Sequence, residues 1–245
     1  INSTPDTGDA TIAENEVIAN TLNINQLIVQ FNGDADNPAG TGGTDDVDKP
    51  NNYILLYSTT GAFNTPSCAV VAAGGVVAPD IRIPVTSVNY NNGSYIATLN
   101  LSAPLTNAGY YRLFVCGTTS IVLAADPTIA LSGNGAAGTD FIRNFQVDTT
   151  TPSNPVLSPS LPPGVWTNVH DLVVTWSGAS DGGSGSGLAG YSVLFDLAAG
   201  TDPGTSVDIE EAAAHQAAAT LADGAPHYFH LVTCDRAGNC APPIE

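Results

Sequence analysis

The chain has 245 residues and a formal net charge of −18, because 23 acidic residues are set against only five lysines and arginines. This balance argues against nucleic acid, whose phosphates need a basic surface, and against an anionic membrane. So many carboxylates suit cations, and calcium best of all, although acidity also simply keeps an extracellular protein soluble.

The N-terminal stretch is polar with scattered acidic residues, and we expect an extended arm over residues 1–20. Short apolar runs at residues 10–13 and 17–19 could add as a strand to the open edge of a neighbouring sheet. Residues 23–31 then alternate apolar and polar side chains, which predicts a strand with one buried face. The first residue is Ile1 rather than Met, which indicates a processed product or an excised segment.

A long polar loop follows at residues 32–50, and loops of this length are usually functional or disordered. Aspartates interleaved with glycines offer the oxygen ligands that Ca²⁺ prefers, although no glutamate stands at the twelfth position that an EF-hand requires. The alternative is a solvated loop. The predicted calcium ligands of this loop are Asp34, Asp36, Asp45, Asp46 and Asp48.

Short strands separated by Gly, Pro and Asn turns predict an all-β sandwich over residues 21–147. The dipeptide Asn92-Gly93 is a strong hairpin signal within it. Besides residues 23–31, the predicted strands cover residues 53–57, 81–85, 87–90, 95–101, 110–116 and 141–147.

Residues 148–155 are rich in threonine and proline, which hold a chain extended and forbid a helix. They open a second sandwich over residues 148–245, with strands at 172–176, 190–195 and 227–233; residues 210–221 fit a helix or a strand equally well. Asp126, Asp140 and Asp148 flank this joint. We expect them to hold a second ion that stiffens it, with a flexible linker as the alternative.

The four cysteines favour two disulfides, Cys68–Cys116 and Cys234–Cys240, since each pair then lies within one predicted domain. A zinc site is the rival, but neither CxxC spacing nor partnering histidines are present. Disulfides predict an oxidising, extracellular location.

Motifs for catalysis are absent: the sequence has no G-x-S-x-G elbow, HExxH or P-loop, and we expect no enzyme. Trp176 ends an alternating strand and is predicted to lie in the core. Trp166 is left open, because an exposed indole could instead stack on a sugar.

Several motifs of the second half resemble a fibronectin type III-like bacterial surface domain over residues 148–243, which implies a seven-strand sandwich used as a spacer or adhesion module. They are Gly164-Val-Trp-Thr-Asn168, Val174-Thr-Trp-Ser-Gly178, Ser186-Gly-Leu-Ala-Gly-Tyr191 and Cys234-Asp-Arg-Ala-Gly-Asn-Cys240. In the first half, Gly109-Tyr-Tyr-Arg-Leu-Phe-Val-Cys-Gly117 and residues 138–148 resemble bacterial Ig-like domains of secreted surface proteins.

Together these features predict a structural subunit or segment of an extracellular bacterial surface assembly, such as a sheath, surface layer or filament. We expect it to assemble by strand addition and to be stiffened by calcium. Its expected partners are other copies or neighbouring surface-protein domains, with a glycan possible. The alternative is an adhesion or carbohydrate-binding module of a secreted protein.

Overall fold

The structure is a computed structural model that describes residues 1–7, 11–19, 22–37, 46–182 and 185–245. The chain divides into two compact units, Ile1–Asp148 and Thr149–Glu245, whose boundary lies next to the predicted one at residue 148. Strands dominate both units, and the predicted all-β class is confirmed.

Eleven strands are described in the N-terminal unit. They are β1 (Asn2–Thr4), β2 (Glu16–Ala19), β3 (Gln26–Gln30), β4 (Tyr53–Ser58), β5 (Ile81–Ile83), β6 (Val85–Asn91), β7 (Ile96–Leu101), β8 (Gly109–Val115), β9 (Val122–Leu123), β10 (Asp126–Ala130) and β11 (Phe141–Asp148). One sheet has the order β1-β3-β7-β6 and the other β2-β11-β8-β4-β5, while β9 and β10 form a small hairpin.

Side chains from the two large sheets meet in one core. Leu27 and Leu99 come from the first sheet and Leu113 and Phe145 from the second, and all four are buried. The ring of Tyr111 stacks on Phe145 with centroids 5.4 Å apart. Each fully buried side chain of this size contributes about 1.5–3 kcal/mol, so this shared core holds the sandwich together.

The N-terminal segment belongs to this sandwich, so the predicted extended arm is wrong for its described residues. β1 pairs antiparallel with β3, and β2 pairs in parallel with β11. Ile12 and Ile18 are only 1% and 3% exposed and lie in the core. The sequence indicated that residues 17–19 add as a strand to an open edge, but the edge that they join belongs to this chain rather than to a neighbour.

A short helix, α1 (Cys68–Gly74), lies where the sequence indicated only an apolar segment. The Ser67 side chain caps its first turn by accepting a hydrogen bond from the Val70 N–H. Cys68 packs on the outer face of the second sheet, in a smaller core with Ile54, Leu56, Phe114 and Cys116. Both faces of β4 are therefore covered, which explains its continuous apolar run.

Six strands are described in the C-terminal unit: β12 (Val156–Pro159), β13 (Asp171–Ser177), β14 (Leu188–Asp196), β15 (Ile209–Glu210), β16 (Gln216–Thr220) and β17 (Tyr228–Asp235). They form two sheets, β12-β13-β16 and β15-β14-β17. Trp176, only 4% exposed, packs between the sheets against Tyr191 and Phe229, so its predicted core position is confirmed.

The ambiguous stretch at residues 210–221 contains no helix: turns and bends at residues 211–215 lead into strand β16. β16 pairs antiparallel with β13 from Asp171–Thr220 to Thr175–Gln216. Its exposed and half-buried positions alternate, with Ala217 against the core. Pairing with a neighbouring strand has overridden the helical propensity of alanine.

Candidate functional sites

The two ends of the aspartate-rich loop lie side by side. The Val47 N–H donates a 2.8 Å hydrogen bond to the Asp36 carbonyl oxygen. Asp46 is buried, and its carboxylate lies 3.6 Å from the Lys49 ammonium. Asp45 lies outside the described residues. Among the loop carboxylates that are described, no three bring oxygen atoms within 4.8 Å of one another, so a calcium site here stays a prediction.

Tyrosines border the same loop. The Tyr90 hydroxyl donates a 2.8 Å hydrogen bond to the Asp34 carboxylate and accepts one from the Ala35 N–H. Burial, with the Asp34 carboxylate adding to it, raises the pKa of Tyr90 to about 12. Burial also raises the pKa of Tyr53 well above its usual value, and the charge of Asp48 adds to this effect. Part of the loop's negative charge thus faces phenols that stay neutral at physiological pH.

The three aspartates predicted to share an ion at the joint do not come together, and that grouping is wrong. Asp140 immediately precedes β11 and Asp148 ends it. A strand rises about 3.3 Å per residue, which separates the two by roughly 26 Å. Asp126 is exposed and accepts hydrogen bonds from the N–H and hydroxyl of Thr128, which lower its pKa.

Asp140 holds two backbone segments together. Its carboxylate accepts hydrogen bonds from the Cys68 N–H at 2.7 Å and from the N–H and hydroxyl of Thr118 at 3.0 and 2.7 Å. The side chain is 7% exposed. Asp140 therefore ties the start of α1 to the turn after β8, while Asp148 is fully buried at the end of β11.

Two buried carboxylates of the C-terminal unit were missed by sequence reasoning. Asp181 and Asp235 are 5% and 2% exposed, and they have oxygen atoms within 4.8 Å of each other. Asp181 accepts from the Gly187 N–H at 2.7 Å, and Asp235 accepts from the N–H and amide of Asn239. The sequence does contain a feature that could have pointed to them, since each aspartate stands just before a glycine-containing turn, in Ser180-Asp181-Gly182 and in Asp235-Arg-Ala-Gly238.

Both predicted disulfides are present. Cys68–Cys116 closes a loop of sequence separation 48 in the N-terminal unit, and Cys234–Cys240 one of separation 6 in the C-terminal unit. No cysteine is free, so none remains as a thiolate for the rival zinc site.

The C-terminal unit has an open cleft of about 710 Å³. It lies where β12 ends and β13 begins, and its walls are the segment 161–170 and the turn 221–228. Leu157, Leu172 and Phe229 line it and also belong to the hydrophobic core. Trp166, the tryptophan left open by the sequence, is 78% exposed at its rim, beside Val165 at 60%.

Polar groups share that rim with the indole. The His170 imidazole lies 3.0 Å from the Asp223 carboxylate. The His227 imidazole lies 2.9 Å from the Ala222 carbonyl oxygen, and Glu245 adds a second exposed carboxylate. The cleft therefore combines an apolar floor, an exposed aromatic ring and side chains that can both donate and accept hydrogen bonds.

Across the described residues, no helix has the length and apolar character needed to cross a membrane. No protein-family model matches the sequence, and no curated protein matches it. Among solved structures, the N-terminal part of the bacterial S-layer protein SbsC is 11% identical with a TM-score of 0.30, over 96% of this chain and 43% of that chain. Domains 1–6 of the surface layer protein SbsC are 11% identical with a TM-score of 0.29, over 89% and 32%.

The chain thus spans less than half the length of either SbsC chain. Similarities of this size carry no argument about function.

Proposed function

We propose that this chain is a structural segment of an extracellular bacterial surface assembly, without catalytic activity, and that copies associate by exchanging their N-terminal strands. The observation that carries the proposal is that β1 and β2 each complete the edge of one sheet in the N-terminal unit. We propose as well that the chain consists of an Ig-like domain followed by a fibronectin type III-like domain.

The contacts of the N-terminal segment are of a kind that another copy could supply. β2 pairs with only four residues of β11, and β1 with three of β3. The Glu14 carboxylate adds a hydrogen bond from the Asn144 N–H and an ion pair with Arg143 at 3.8 Å. The same segment of a second copy would make identical contacts, and exchange of an identical element is a low-cost route to assembly.

The chemistry of the chain supports an extracellular setting. Each unit has its own disulfide, and such bonds persist in oxidising compartments. The charge of −18 keeps the surface soluble and makes dissolved cations its natural partners. Calcium, bound by the aspartate-rich loop, is the ion that we propose stiffens the assembly, because flexible oxygen-rich sites suit it best.

Cysteine cross-linking tests the strand exchange directly. Val17 of β2 and Gln146 of β11 are register partners, so the double variant Val17→Cys, Gln146→Cys places two thiols opposite each other. If copies exchange strands, oxidation at high protein concentration joins neighbouring copies, and a non-reducing gel shows a covalent ladder. A closed chain gives only intramolecular bonds and runs as a monomer.

A matched control pairs Val17→Cys with Ser102→Cys, since Ser102 is exposed and follows the end of β7 in the other sheet. This variant should give no ladder under the same conditions. Light scattering on the unmodified chain over the same concentrations supplies the second measurement. Monomers at every concentration, with only intramolecular bonds in the first variant, would refute the exchange.

A further inference from the structure

The cleft of the C-terminal unit exposes apolar surface that a soluble domain ordinarily covers. An indole can bury about 150–250 Å² of surface, yet Trp166 is 78% exposed. Val165 and Val169, in the same segment, are 60% and 49% exposed. Contiguous exposed apolar side chains of this kind mark interaction sites, and the cleft volume lies within the range of about 300–1,000 Å³ typical of ligand sites.

We propose that this cleft is a binding site for an uncharged oligosaccharide. Sugar rings present an apolar C–H face together with hydroxyl groups at their edge. The face matches the exposed Trp166 indole, and the hydroxyls match the Asp223 carboxylate and the imidazoles at the rim. Hydrogen bonds to an ionised carboxylate are about twice as strong as neutral ones, so Asp223 orients the ligand while Trp166 supplies contact area.

Charge selects the class of ligand. Asp223 and Glu245 lie at the rim of a chain whose net charge is −18. Like charges across an interface are unfavourable, so anionic polysaccharides are disfavoured. A neutral saccharide meets no such repulsion, and its hydroxyls can donate hydrogen bonds to the Asp223 carboxylate. The inference goes beyond the structural role proposed above and does not depend on strand exchange.

Affinity electrophoresis of the full chain tests the site. Native gels contain laminarin, galactomannan, arabinoxylan or hydroxyethylcellulose as neutral probes, and polygalacturonate as an anionic one. At least one neutral polymer should retard the chain. Trp166→Ala should weaken that retardation at least about tenfold, and Asp223→Ala should weaken it as well. Val156→Ala is the matched control, because Val156 is 72% exposed but does not line the cleft.

A fluorescence measurement distinguishes the cleft from an effect on folding. Trp166 is exposed and Trp176 is buried, so acrylamide quenches mainly Trp166, and a bound oligosaccharide should protect it. The melting temperature of Trp166→Ala should equal that of the unmodified chain, since the side chain makes few packing contacts. Light scattering of the same variant reports whether the cleft is instead a contact between copies.

Four results would overturn the proposal. They are no retardation by any neutral polymer, retardation by polygalacturonate alone, full retardation of Trp166→Ala, and self-association of the unmodified chain that Trp166→Ala abolishes.

Discussion

Removal of the Cys68–Cys116 disulfide should destabilise the N-terminal unit by about 4 kcal/mol, because it releases a loop of sequence separation 48 in the unfolded chain. The same chain-entropy relation gives about 2 kcal/mol for Cys234–Cys240, whose separation is 6. Since domains are stable by only about 5–15 kcal/mol, the first loss is a large fraction of the total. Both cysteines of a pair are replaced with alanine rather than serine, because a serine would leave a buried hydroxyl without a hydrogen-bond partner.

Denaturant unfolding measures the two losses separately. Both tryptophans lie in the C-terminal unit, so tryptophan fluorescence reports that unit, while Tyr53 and Tyr111 in the N-terminal core report the other through near-ultraviolet circular dichroism. The free energy of unfolding is the quantity to compare. Melting temperatures would mislead, because 1 kcal/mol shifts the midpoint of a small domain by about 4–8 °C but that of a larger one by about 2–4 °C.

The matched comparison is the Cys234→Ala, Cys240→Ala variant against the Cys68→Ala, Cys116→Ala variant. Loop entropy predicts the larger loss of unfolding free energy for the Cys68→Ala, Cys116→Ala variant. An equal or larger loss for the Cys234–Cys240 variant would show that packing around the sulfurs, rather than loop length, sets the contribution. Cys68 and Cys116 also pack in the small core with Ile54 and Phe114, so lost packing adds to the entropic loss of their variant and acts in the same direction.

Two further predictions concern ionisation and ions. Four of the eight tyrosines, Tyr53, Tyr90, Tyr111 and Tyr191, have a pKa raised chiefly by burial, so their absorbance near 295 nm should titrate later in the native chain than in denaturant. A raised pKa favours the neutral phenol in the folded state, so stability should be full below pH about 10 and fall as the pH rises towards 12. Calcium should raise the free energy of unfolding relative to chelator by about 2.7 kcal/mol at a hundredfold excess over Kd, and the unfolding midpoint should rise with it; an unchanged midpoint would contradict the calcium proposal.

Alternating strands could be predicted from the sequence because burial of one face dictates a period of two. β7 is the clearest case: Ala97, Leu99 and Leu101 face the core, and the preceding Asn92-Gly93 turn sets the hairpin. The disulfide pairs followed from domain boundaries that the proline-rich joint marked. Signals of this kind are local, and each lies within a few residues of the element that it defines.

What could not be predicted depends on contacts between distant segments. β2 is a strand because β11 offers a free edge more than a hundred residues away, and no pattern within Glu16–Ala19 encodes that partner. The helix α1 forms over a sheet face that only the folded unit creates. The carboxylates were grouped by closeness to the joint in sequence, but an eight-residue strand separates Asp140 from Asp148.

The acidic composition has a structural reason besides solubility. With five lysines and arginines in the chain, most buried carboxylates must find donors other than basic side chains. Several accept backbone N–H groups instead: Asp80 from Asn64 and Thr65, Asp140 from Cys68 and Thr118, Asp181 from Gly187, and Asp235 from Asn239. Hydrogen bonds from N–H groups stabilise an ionised carboxylate without a counter-charge. These aspartates thus fix loops that have little apolar surface of their own, and each of them does so within its own unit.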